Sequence, residues 1–557
     1  MQSATPSPLS KFTKLWFYLS GPLLLVSIGQ TQELELQLRS RQPIQTDAQR
    51  YGIHFQDEAW LPAQTAVIVC DMWDAHHCLN AVRREMEMAP RMNRFLHRLR
   101  DQGTLIIHAP SSCMAPYEDH PGRKIAKAAP AAANLPQDIG EWCHQIPSEE
   151  QGKYPIDQSD GGEDDNLQEH EKWHEQLASQ GRNPRSPWQS QIALLDIEPG
   201  DAISDSGVEI WNLLESRGIK NIMLVGVHTN MCVLGRPFGL RQLSKNGKNV
   251  VLVRDLTDTM YNPQRWPYVS HVAGTDLIIE HIEKFVCPTI TSDQILGGDT
   301  FRFSSDRRPH VVCLIGEKEY NTAQTLPTFF KEQLPSTFRY SIVHADPENP
   351  NQFLGWQELK TADLIFVSVR RRALPTEQLD LLKEKIQTGT PVVGIRTASH
   401  AFSLNGGTKP EGHQEWPEFD RVVLGGNYHM HHGNKKATDP KTSVWIHGGA
   451  KNNPLSQDLL PEGEKTVTSW LYKTEPLAEG TSVLLMGRVG DRQPHEPVAW
   501  TYVNPYGARV FYTSLGHEDD FSDPLFTTLL TRSLVWAAGL PHPLEVAKPE
   551  MEDQSSR

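Results

Sequence analysis

The sequence predicts an α/β protein made of two doubly wound, three-layer domains on parallel sheets. Three observations carry this. Short apolar runs of strand length alternate with helix-like stretches over residues 61–295, and again over 309–541. A stretch rich in Gly, Ser and charge, LGGDTFRFSSDRR (296–308), separates the two series as a linker. At 557 residues the chain is too long for one ordinary core.

The elements follow in order. Lys11 and Lys14 precede an apolar run, LWFYLSGPLLLVSIG (15–29), that ends in the small residues Ser27 and Gly29. This reads as a secretory signal peptide over 1–29. The alternative is an uncleaved membrane anchor, but Ser20, Gly21 and Pro22 break a run already shorter than the ~20 apolar residues of a span. A secreted or periplasmic protein is expected, with no stable membrane span after cleavage. Residues 30–60 read as an N-terminal lead-in. The first series then has strands at TAVIVCD (65–71), GTLIIHAP (103–110), KNIMLVGV (220–227) and KNVVLVRD (248–255), with helices near 90–100 and 208–217. Residues 147–189 are polar and acidic. They read as a surface excursion, partly disordered, with a lid as the alternative.

The second series opens with HVVCLIG (310–316), RYSIVHAD (339–346), ADLIFVSV (362–369) and PVVGIRT (391–397). SVLLMGRV, PVAWTYV and ARVFYTSLG follow, then a closing helix over about 524–538 and a disordered tail at 542–557.

Composition excludes some partners. A net charge of -14 leaves no basic stripe for phosphates, so no nucleic-acid partner is expected. The seven cysteines are scattered and form no CxxC pair, so neither a zinc ribbon nor a disulfide scaffold is indicated.

In a doubly wound sheet, sites form at the carboxyl ends of strands. Asp71, His108 and Cys232 fall at or just past such ends. Cys232 lies where a strand ends and a helix begins. Free N–H groups and the helix dipole there favour an anion, so the position predicts a nucleophilic thiolate.

The motifs carry a resemblance. GVHTNMCV resembles the strand and G-x-x-T-x-x-C-V pattern of isochorismatase-like cysteine hydrolases, through Gly226, Thr229, Cys232 and Val233. VIVCDMWDAHHC matches that family's first strand, which ends in an aspartate, here Asp71. The resemblance covers roughly 65–290. It implies Cys232 as nucleophile, Asp71 as general base and a lysine beside both. It further implies a turn of His228, Thr229 and Met231 with a non-proline cis peptide near Val227–His228. Backbone N–H groups of Met231 and Cys232 would then face an oxyanion. The lysine position reads Asp205 or Ser206, which opposes the charge required. Arg123, Lys124, Lys127, His108 and His228 are the candidate substitutes. Nicotinamidases of the superfamily bind a metal through Asp and His residues. Asp74, His76 and His77 do not reproduce that spacing, so no metal or other cofactor is expected.

The second series ends in a segment similar to the ThuA-like family, which is associated with trehalose utilisation and has the class I glutamine-amidotransferase fold. The matching residues are Pro497, Trp500, Gly507, Arg509, Val510, Leu515, Gly516, His517, Trp536, Ala537 and Gly539. The fold's nucleophile turn reads GIRTASHAF (394–402), without cysteine, so glutamine hydrolysis by that route is not expected. His400, His429, His431, His432 and His517 are the candidates for a polar cleft that takes a carbohydrate-related ligand.

Together these readings describe an exported cysteine hydrolase acting on a small amide, ester or related molecule. A homo-oligomer is left open. The competing reading is a non-enzymatic ligand-binding protein built from two degenerate enzyme folds, because the family lysine and the amidotransferase cysteine are both missing.

Overall fold

The structure, a computed structural model, describes residues 32–44, 47–433 and 436–541. The expected signal peptide and C-terminal tail lie outside the described residues. Among those described, no helix is long and apolar enough to cross a membrane.

The first sheet has eight strands: β1 (Leu34–Ile44), β2 (Asp47–Trp60), β3 (Thr65–Cys70), β4 (Leu105–Ala109), β5 (Ala202–Ile203), β6 (Asn221–Val227), β7 (Asn249–Asp258) and β8 (Thr289–Ile290). Their spatial order is β2-β1-β8-β7-β6-β3-β4-β5. Strands β3 to β8 run parallel, and β3 and β6 are fully apolar inside, as strands covered on both faces should be. Helix α1 (Leu79–Asp101) covers one face with Met88, Met92, Phe95, Leu96 and Leu99. The other face is covered by α4 (Gly207–Ser216), α5 (Leu240–Lys245) and α6 (His271–Phe285). Two short helices, α2 (Pro121–Lys127) and α3 (Leu167–Ser179), lie in the long connection between β4 and β5.

Three sequence expectations change here. The lead-in at 30–60 is a strand hairpin, β1 with β2, that pairs antiparallel onto β8 and extends the sheet. Its signal is the alternation of Leu34, Leu36 and Leu38, all buried. The helix expected to start at Pro90 starts at Leu79 and runs through the proline. The acidic stretch 147–189 is ordered, because its acids have partners. Glu149 pairs with Arg241 and His281, and Asp164 with Arg84.

A short α7 (Asp293–Leu296) leads to the second sheet. That sheet contains β9 (His310–Gly316), β10 (Arg339–His344), β11 (Leu364–Val369), β13 (Val392–Ile395), β16 (Thr442–Ile446), β17 (Glu464–Val467), β19 (Ser482–Val489), β20 (Glu496–Val503) and β21 (Arg509–Thr513). Two small ribbons pair β12 (Leu374–Pro375) with β14 (His413–Gln414), and β15 (Met430–His431) with β18 (Tyr472–Lys473). The order is β10-β9-β11-β13-β21-β20-β19-β16-β17. The first five are parallel, while β20, β19, β16 and β17 run antiparallel. The doubly wound parallel sheet expected from sequence is present in those five strands, and the antiparallel strands extend it, a direction that periodicity does not report. Helices α8 (Thr322–Gln333) and α10 (Pro524–Ala537) cover one face, and α9 (Thr376–Gln387) covers the other.

The hairpin also touches the second half of the chain. Arg39 on β1 donates to Glu283 of α6 at 2.8 Å and to Glu358 at 3.1 Å. A cavity of about 1370 Å³ opens at this junction, between Arg254, Asp276, Phe303 and Arg339 among others.

Candidate active site

Topology places the site. The chain leaves β3 toward β4 on one side, and later resumes with β6 on the other. The crevice at the carboxyl ends of β3 and β6 is thus the topological switch point of the first sheet. Cys70 pairs with Gly226 across it. Gly226 has φ +108°, and a Cβ there would lie 2.0 Å from the Cys70 carbonyl oxygen, so only glycine allows this approach.

Asp71 follows β3 with φ +47° and is completely buried. Its Oδ1 accepts the Ser111 N–H at 2.8 Å. After β6 comes a cis peptide, Val227–His228, then a single π-helical turn, Thr229–Val233. That turn brings Cys232 to Asp71, and the thiol donates to the carboxylate. The chain turns once more, with the Arg236 N–H donating to the Cys232 carbonyl at 3.0 Å. This aims the Arg236 side chain back at Asp71, where Nε and Nη2 each lie 2.9 Å from Oδ2.

The electrostatics follow from burial and this triad. Burial pushes the Asp71 carboxyl up, and Arg236 pulls it back. Burial pushes the Cys232 thiol well above its ordinary value. Asp71 pushes the same way, while Arg236 and the His228 N–H oppose them. The low-pKa thiolate expected from sequence is therefore a neutral thiol at rest, because the site is dry and a carboxylate faces the sulfur.

Arg236 is the cation that sequence reasoning missed. Its signal is the i, i+4 spacing from Cys232 in a helical turn. The substitutes named from sequence are engaged elsewhere. Arg123 pairs with Glu209, Lys127 pairs with Glu118, and Lys124 is exposed. His108 is buried between Gln191 (2.8 Å) and Asp201 (3.2 Å). In the lysine position, Asp205 accepts the Ser112 N–H at 3.1 Å and Ser206 caps α4, so neither opposes the thiol directly.

The turn residues also need correction. The Met231 N–H is spent on the His228 carbonyl at 3.0 Å, so it is not free for an oxyanion. Thr229 is buried, its hydroxyl 2.7 Å from that of Thr257. His228 is buried against the His76 ring at 4.9 Å. Its two ring nitrogens have no hydrogen-bond partner among the described residues.

The acidic insertion covers this end of the sheet. Tyr154 and Gln158 both donate to the Asn230 carbonyl at 3.3 Å. Trp188 stacks on Trp73 at 4.8 Å, and Trp142 lies 5.2 Å from the Arg236 guanidinium. A cavity of about 470 Å³ opens beside Met231 and Trp142.

In the second sheet, the turn after β13 places Arg396 at φ +48°, buried and facing Tyr320 at 4.4 Å and Tyr472 at 4.8 Å. It donates to the Ser514 and Trp470 carbonyls. This is the turn that lacks the amidotransferase cysteine, and Arg396 within it is a candidate that the sequence alone does not single out. His400 stacks on Tyr428 at 4.4 Å, and burial with nearby Arg371 lowers its pKa to about 3. His431 lies 6.1 Å from Trp470, and His517 6.0 Å from Tyr320, so these three histidines surround the Arg396 cage. The other two do not join them. His432 binds Glu496 at 3.3 Å, and His429 is exposed on its own turn beside the Asn427 carbonyl.

Known proteins are similar to the two halves of the chain separately. Residues 316–537 match the ThuA family model, described as trehalose utilisation. No curated protein matches the chain. Among solved structures, a ThuA-like protein from Parabacteroides merdae is 19% identical, covering 42% of this chain and 91% of that one, with TM-score 0.32. A cysteine hydrolase from Pseudomonas syringae is 16% identical, covering 46% and 95%, with TM-score 0.26. An isochorismatase family protein from Burkholderia thailandensis is 16% identical, covering 42% and 93%, with TM-score 0.23.

Proposed function

We propose that the first half of the chain is a cysteine hydrolase of the isochorismatase-like type, acting on a small amide, ester or related substrate. The observation that carries this reading is the buried Asp71–Cys232–Arg236 arrangement at the switch point. Asp71 takes the thiol proton as sulfur attacks the carbonyl carbon, and the same proton passes to the leaving group. The resulting thioester is hydrolysed by water that Asp71 deprotonates, which returns the thiol and releases a carboxylic acid. Arg236 keeps the net charge of the reacting groups at zero in both protonation states. The Cys232 N–H is the remaining backbone candidate for the oxyanion.

The competing reading, a degenerate binding module, rests on the missing lysine and the missing amidotransferase cysteine; Arg236 offers a cation from another position against the first, and the second bears only on the other half of the chain. The second half would take a carbohydrate-related ligand at the Arg396 cage, a reading supported by the ThuA match and by the aromatic walls. Export rests on the sequence pattern of residues 1–29. The test of the first assignment is a panel of short amides and esters given to the full chain. Turnover must vanish in Cys232→Ser, and turnover that survives this change removes the assignment.

A further inference from the structure

The acidic insertion carries a side-chain cluster that the cysteine site does not use. His170 and His174 stand four residues apart on α3, so their imidazoles share one face of the helix. Glu163 reaches the same point from the loop before the helix and pairs with His170 Nδ1. One ligating atom from each of the three lies within 4.8 Å of the others.

His174 is arranged as a metal ligand would be. One ring nitrogen bonds the His77 backbone. Its Nε2 is buried and has no hydrogen-bond partner among the described residues. A backbone partner on one ring nitrogen fixes the tautomer and leaves the other lone pair free to coordinate.

The frame around the cluster is independently held. Trp173 Nε1 donates to the His76 carbonyl at 2.8 Å. Asp165 accepts the Leu79 and Asn80 N–H groups, each at 2.7 Å. Asp164 pairs with Arg84 at 2.8 Å. These last bonds also weaken the neighbouring group of Cys78, Asp164 and Asp165 as a competitor, because its carboxylates are already committed.

We propose that Glu163, His170 and His174 bind a divalent transition-metal ion, zinc by ligand chemistry, which braces the insertion where Trp173 and His174 bond the turn carrying His76 and His77. Two imidazoles and one carboxylate suit zinc, and water fills the fourth position. The cluster adjoins His77, whose ring lies 4.1 Å from that of His76, and the His76 ring in turn contacts His228 of the cysteine turn. The role of the ion is therefore to hold the cover of the site in place.

The test uses the full chain and zinc itself, titrated against a chromophoric chelator at neutral pH. One zinc per chain is expected, with Kd of about 1 µM or tighter, weakened about 100-fold or more by His174→Ala and by Glu163→Gln. Cys78→Ser should bind unchanged. Cobalt in place of zinc should give strong four-coordinate d–d bands without a thiolate charge-transfer band. Three results would overturn the proposal: no stoichiometric zinc at about 100 µM, a thiolate band, or binding lost in Cys78→Ser but retained in His174→Ala. If His174→Ala fails to fold, Glu163→Gln and the cobalt spectrum still decide.

Discussion

Arg236 and Asp71 form an ion pair with Nε and Nη2 each 2.9 Å from the same carboxylate oxygen, and the Cys232 thiol donates to that carboxylate. Carboxylate, thiol and guanidinium sum to zero charge. Moving the proton from sulfur to Asp71 leaves that sum unchanged, so the transfer needs no outside counter-ion in a dry site. The resting thiol is thus compatible with a nucleophile that ionises only as it reacts.

The two neighbours pull the thiol in opposite directions, which gives a signed prediction. Asp71→Asn removes the charge that raises the Cys232 pKa, so thiolate should form at lower pH. Arg236→Met removes the charge that lowers it, so thiolate should form at higher pH. Thiolate absorbance, read as the difference from Cys232→Ser, measures both. Hydrolysis should nonetheless fall in each, by about 10²–10⁴-fold in kcat/KM without the base and about 10²-fold without the cation. Thiolate formation that moves the same way in both variants contradicts the arrangement.

The pH profile provides a separate check. Asp71 must be ionised to accept a proton, and Arg236 lowers its pKa against the upward push of burial. In Arg236→Met that opposition is gone. The acid limb of kcat/KM should move to higher pH, by about 1–2 units, while Arg236→Lys should restore most of it. An unmoved limb assigns the base to another group.

Asp201 predicts a stability limb. Burial pushes its carboxyl up, but hydrogen bonds from His108 and Arg100 outweigh this and hold it at about 2. A folded pKa below the unfolded value adds stability above about pH 4, and that stability is lost as pH falls toward 2. The contribution is about 2 kcal/mol. Urea unfolding should find Asp201→Asn destabilised by that order at pH 7 and level with the parent near pH 2.

Sequence and structure differ in an instructive way. Asp71 and Cys232 were legible because strand ends in a doubly wound sheet share one edge, whatever the loops do. Arg236 was not, although it stands four residues past Cys232. Its contact depends on the path of the π-helical turn, which no periodicity encodes. Leu34, Leu36 and Leu38 did carry the period of a strand, and the hairpin they begin lay within a stretch read as a lead-in. The direction of β19 and β20 left no trace, because a buried strand reads the same both ways. Arg396 stood in a turn read for the residue it lacked.

The hairpin also joins the two halves. Arg39 bonds Glu283 and Glu358, all three largely buried. Arg39→Met leaves two carboxylates without this partner and should cost about 3–5 kcal/mol. Calorimetry should show the loss as a lowered unfolding transition. An unchanged transition would mean that the junction contributes little to stability.

The central claim is that Cys232 is the nucleophile, and acyl transfer tests it directly. The full chain is mixed with p-nitrophenyl acetate, quenched within the first turnovers, digested and mapped by mass spectrometry. The account predicts a nitrophenol burst with the acetyl group on Cys232, and no burst in Cys232→Ala. A burst that persists in Cys232→Ala, or an acetyl group carried by Cys113 or Cys143 instead, would contradict it.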